Sequence, residues 1–66
     1  MIIVLENIAN GNKLKIEKLD SNQWIDEHGV QLSNEQHIKI LENAEIGTEI
    51  GGLLYESRFQ IIEVKN

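Results

Sequence analysis

The chain has 66 residues, no cysteine, no proline and a formal net charge of −5. The missing cysteines exclude disulfides, thiolate metal sites and thiol nucleophiles together, and eleven carboxylates against six basic groups disfavour duplex DNA, whose phosphates call for clustered Lys and Arg. One small domain spanning residues 1–66 is expected, burying only about 60% of its unfolded surface, with 41% apolar residues arguing against disorder.

The charge is uneven. Residues 1–19 hold Lys13, Lys15 and Lys18 against Glu6 and Glu17, whereas residues 20–66 hold nine acids against Lys39, Arg58 and Lys65. Met1–Leu5 is apolar for five residues with no basic residue before it, which fits neither a signal peptide nor a membrane span. A cytoplasmic protein is therefore expected. Eleven Ile, seven Asn and five Lys against two Ala are residues of AT-rich codons, as in a low-GC bacterium or its phage.

In chain order, Asn10-Gly11 is the first strong signal. Asn-Gly suits a two-residue type I′ turn. That turn would join Met1–Ile8 to Asn12–Asp20 with Ala9 facing Asn12, Glu6 facing Lys15 and Leu5 facing Ile16. Asp20-Ser21-Asn22 is the next turn. Gln23–Asp26 and Val30–Leu32 read as strand, either joined by a type I turn over Asp26-Glu27-His28-Gly29 or continuous and bent at Gly29. Ser33-Asn34-Glu35-Gln36 has the capping-box pattern with Ser33 as cap. The stripe His37, Ile40, Leu41, Ala44 follows at helical spacing. Ile46, Thr48 and Ile50 alternate as a strand. Gly51-Gly52 breaks that strand, and Leu53–Tyr55 with Phe59–Val64 would close a hairpin around Glu56-Ser57. The sum is a mainly β fold: a small five-stranded barrel, OB-like or SH3-like, with one short α-helix between strands 3 and 4.

The segments Gly29-Val30-Gln31-Leu32-Ser33, Ile46-Gly47-Thr48-Glu49-Ile50 and Leu53-Leu54-Tyr55-Glu56-Ser57 resemble the OB-fold RNA-binding repeats of bacterial conserved virulence factor B-type proteins. The resemblance covers about the second half of the chain. It implies an OB barrel and an RNA partner.

Candidate chemistry is sparse. His28 and His37 lie near Asp26, Glu27 and Glu35, but their spacing matches no metal motif. His28 reads as a turn histidine and His37 as a helix-face one. Ser21, Ser33 and Ser57 fall at turns or caps. Asp26 and Glu27, as strand neighbours, would point to opposite faces. No catalytic residue, metal or cofactor is expected, and the chain reads as a non-enzyme. Two binding surfaces remain. The acids Asp20, Asp26, Glu27, Glu42, Glu45 and Glu49 would present a negative surface to a basic protein, as a small protein-binding module or regulatory inhibitor does. Alternatively, Lys13, Lys15, Trp24, Tyr55 and Arg58 would form a single-strand nucleic-acid surface of basic and stacking groups; the competing reading puts Trp24 and Phe59 in the core, which must use some of the chain's three aromatics. Edge pairing through Met1–Leu5 would make a homodimer; otherwise the chain is a monomer.

Overall fold

A computed structural model describes residues 1–53 and 56–66. Strands β1 (Ile2–Asn7), β2 (Lys13–Lys18) and β3 (Trp24–Asp26) precede helix α1 (Glu35–Glu42), and β4 (Glu49–Gly51) and β5 (Arg58–Lys65) follow it. Five antiparallel strands form one curled half-barrel in the order β3-β2-β1-β5-β4. The Cα radius of gyration is 10.7 Å, close to the roughly 11 Å of a compact domain this long.

Alternation builds the sheet. Along β1 and β2 every second side chain (Ile3, Leu5, Leu14, Ile16) is buried, while Lys13, Lys15 and Glu17 stay exposed. The period of two puts one set on each face. Trp24, Ile50, Phe59 and Ile61 join the inner set, and Leu41 of α1 completes the core.

The β1–β2 connection differs from the type I′ expectation. Glu6 faces Lys13 rather than Lys15, and Leu5 faces Leu14 rather than Ile16. The cause is the buried Asn7, whose Oδ1 accepts from the Ala9 and Asn10 amides at 2.9 and 3.3 Å. Gly11 N donates to the Asn7 carbonyl at 2.8 Å, and only Gly11 of the Asn-Gly pair has positive φ. Asn7 thus closes a four-residue loop, and the register moves by two positions. A slip of one would have turned the core outward; a slip of two keeps every side chain on its expected face.

After β3 the turn alternative is realised and the bent strand is not. Gly29 N donates to the Asp26 carbonyl, Asp26 N to Val30, and Gly29 sits at φ 81°, the pattern of a turn completed by one left-handed residue. Val30–Leu32 contributes an isolated Ile25–Gln31 bridge, not a full strand. The helix cap is Asn34, not Ser33: its Oδ1 accepts from the Gln36 and His37 amides at 2.9 and 3.3 Å. Asn caps as well as Ser, and the helix buries Leu41 fully with Ile38, Ile40 and Ala44 packed against the core.

Three further expectations change. The strand expected from Ile46 begins only at Glu49, and Ile46 is 64% exposed, because the preceding residues turn so that Gly47 N meets the Ile61 carbonyl. Of the separate strand expected over Leu53–Tyr55, Leu53 lies beyond the end of β4, and Leu54 and Tyr55 lie outside the described residues. Met1–Leu5 is not an edge. β1 is the central strand, bonded to β2 on one side and β5 on the other, so its backbone offers no free ladder to a second copy. Between Val4 and Leu5 the β1–β5 register shifts, leaving Ile62 as the extra residue. The bulge switches the inward positions of β5 from Phe59 and Ile61 to the half-buried Val64.

The half-barrel is open between β3 and β4, and α1 spans that seam. Its last residue, Glu42, accepts from Trp24 Nε1 of β3 at 3.1 Å and from Lys18 Nζ of β2 at 2.8 Å. Near its start, His37 Nε2 meets the Gly51 carbonyl of β4 at 2.8 Å. Side chains of the helix therefore bridge the two ends of the sheet, while the outer edge of β3 is bonded by Val30–Leu32, with Asp26 N donating to the Val30 carbonyl and Leu32 N to the Trp24 carbonyl.

Candidate functional site

The helix does not fill the whole seam. At the end where α1 begins, a cleft of about 250 Å³ remains. Its apolar walls are Leu14 and Ile16 from the inner face of β2, with Val30, Leu32 and Leu53. Its polar lining includes Asp26, Ser33 and His37. Val30, at 60% exposure, stands at the rim. Ile8 is exposed on the β1–β2 loop at the same end, its amide bonded to the Arg58 carbonyl.

Asp26 and His37 give the cleft its electrostatics. The half-buried Asp26 uses Oδ1 to accept from the His28 and Val30 amides, both at 2.9 Å. Because a carbonyl only accepts, His37 Nε2 carries a proton and donates it to the Gly51 carbonyl. The start of α1 offers little to an anion. Asn34 takes the Gln36 and His37 amides, and Glu35 sits in the first turn. No Lys or Arg lines the cleft among the described residues.

The expected nucleic-acid set is divided. Lys13, Lys15 and Arg58 lie on the outer face, since their neighbours Leu14, Ile16 and Phe59 point inward. Glu6 lies between Lys13 and Gln60 on that face, and Arg58 reaches Glu49 at 3.5 Å. Trp24 is 1% exposed, with its ring in the core and its N–H on Glu42. It is not a stacking platform, because no ring face reaches solvent. Tyr55 lies outside the described residues.

Of the acids expected to form one surface, Asp26 closes the β3 turn, and Glu27 Oε1 accepts from Lys15 N at 3.2 Å. Glu42 anchors α1 and Glu49 meets Arg58, while Asp20 and Glu45 are exposed. Lys18 and Trp24, by donating to Glu42, hold its carboxyl below the usual carboxylate range against a smaller opposing effect of burial. His28 is exposed in its turn.

No family model, curated protein or solved structure matches this chain. The site therefore rests on its own geometry. Among the described residues, no group of three or more His, Asp or Glu could hold a metal ion, and no helix is long and apolar enough to cross a membrane. A second, wide-open groove of about 490 Å³ runs beside α1 along Gln36, Lys39, Ile40, Asn43 and Thr48. Residue patterns pointed to neither hollow. Leu14, Val30 and Leu32 read as ordinary strand residues, and only the turn at Gly29 and the start of α1 bring them opposite His37 and Leu53.

Proposed function

We propose that this chain is a small protein-binding module, acting as a regulatory inhibitor of a partner with a basic surface. The observation that carries the reading is the cleft beside α1. At about 250 Å³ it lies below the roughly 300–1,000 Å³ of small-molecule sites and has the scale of one anchoring side chain. Buried anchors in such pockets dominate binding energy between proteins. The charge distribution supports the same reading. The outer face of β2, β1 and β5 carries Lys13, Lys15, Arg58 and Lys65 against Glu6, Glu17 and Glu63, which leaves a net of −6 on the rest of the chain. That asymmetry would steer a basic partner toward the β3, α1 and β4 side.

The test is affinity capture from lysate, with and without nuclease, using the natural chain and Ser33→Trp. Ser33 is exposed at the cleft, so an indole there obstructs entry without disturbing the core. The expected result is one dominant protein that survives nuclease and is lost with Ser33→Trp. Capture abolished by nuclease, or indifferent to the substitution, would overturn the reading.

A further inference from the structure

We propose that the cleft takes a lysine side chain of the partner protein, with its ammonium on Asp26. The inference rests on the protein-binding reading and deepens it.

Three features select the occupant. First, the walls Leu14, Ile16 and Leu32 are aliphatic and suit a methylene stem that ends in a charged head. Second, the charged side chain among the lining residues is the carboxylate of Asp26, with Glu27 next to it and Glu35 in the first turn of α1. The nearest cations on β2, Lys13 and Lys15, lie on the opposite face of the sheet. An anion would meet Asp26 and find the Gln36 and His37 amides already bonded to Asn34. Third, Oδ1 of Asp26 already accepts two backbone N–H groups, while Oδ2 has no hydrogen-bond partner among the described residues and is the oxygen a ligand would meet. One oxygen does not match the two-pronged guanidinium of arginine; it suits the compact ammonium of lysine.

The experiment titrates the ¹⁵N-labelled chain with acetyl-lysine methylamide, and with the norleucine and arginine counterparts, following backbone amide shifts. Lysine should move the amides of Val30, Ser33, His37 and Gly52. In Asp26→Asn the remaining side-chain carbonyl still receives the His28 and Val30 amides, so the turn persists and only the charge is lost. Unchanged amide shifts elsewhere verify this. That substitution should weaken lysine binding about tenfold, the scale of one charged hydrogen bond, and 0.5 M salt should weaken it further. Norleucine binding as tightly as lysine, arginine binding more tightly, or indifference to Asp26→Asn would each overturn the proposal. If Ser33→Trp abolishes protein capture while Asp26→Asn leaves it intact, the protein-binding reading stands and the lysine assignment falls.

Discussion

Trp24 Nε1–H donates to Glu42 Oε1 at 3.1 Å, while Lys18 Nζ holds the other oxygen of the same carboxylate at 2.8 Å and lies 5.7 Å from the indole centroid. One carboxylate thus ties the end of α1 to two neighbouring strands. A helix of eight residues is too short to persist in water by itself, so its order depends on such ties and on Leu41.

The depressed Glu42 carboxyl makes this tie pH-dependent. A carboxylate whose folded pKa is lowered binds fewer protons than in the unfolded chain, so its contribution is present at neutral pH. That contribution fades as pH falls from the ordinary carboxylate range through the lowered folded value. Glu42→Gln keeps an acceptor for Trp24 but loses the charge. Its melting temperature should lie below that of the natural chain at pH 7, and the gap should close on acidification. A gap that stays constant down to strongly acidic pH would contradict the role assigned to Glu42.

Leu41 is fully buried beneath the seam. Leu41→Ala should cost about 2–5 kcal/mol in urea unfolding, enough to unfold much of a domain this small. Ile46→Ala, at a side chain 64% exposed, should stay within about 0.5 kcal/mol. The pair separates the apolar residues that hold the helix from those that merely face solvent.

Gly29 is at φ 81°, and a Cβ added there meets nothing within 4 Å. The cost of Gly29→Ala is therefore conformational alone, about 1–2 kcal/mol, and Gly29→Asn should cost less, since Asn tolerates this region. Chemical denaturation of the two variants checks the order.

Asn7, 7% exposed, organises the first loop through its Oδ1. Asn7→Ala removes the acceptor of the Ala9 and Asn10 amides and should cost about 0.5–1.5 kcal/mol, the net worth of a hydrogen bond. Asn7→Asp retains the acceptor and should cost less. Hydrogen exchange at those two amides should speed up in the alanine variant and stay slow in the aspartate one.

Much of the barrel was legible because alternation is local. Ile3, Leu5, Leu14 and Ile16 mark an inner face whichever even register the loop selects, so an error at Asn10-Gly11 left the core intact. Phe59 was readable as core on other grounds: a chain with three aromatics must spend some of them inside. The cap moved from Ser33 to Asn34 because the two adjacent residues are equally good caps by type, and Asn34 is the one whose Oδ1 takes the Gln36 and His37 amides. Ile46 misled because alternation through Ile50 continues across Gly47, where the backbone in fact turns. The candidate site was less legible. Asp26 was singled out for its charge, yet its place in a cleft with Leu14, Leu32 and His37 depends on contacts between distant segments. The burial of Trp24 under Glu42 joins residues eighteen apart and leaves no local pattern.

The bonding of β1 to β5 also bears on the order of assembly. Ile2–Asn7 can pair with Lys13–Lys18 as soon as both exist, but the second flank of the central strand is made only when Arg58–Lys65 has been synthesised. Until then Ile3 and Leu5 have a neighbour on one side, and the growing chain carries a half-covered apolar ribbon. The sheet is complete only when β5 joins it. Loss of the last eight or nine residues would remove the support of the middle strand, not a dispensable rim.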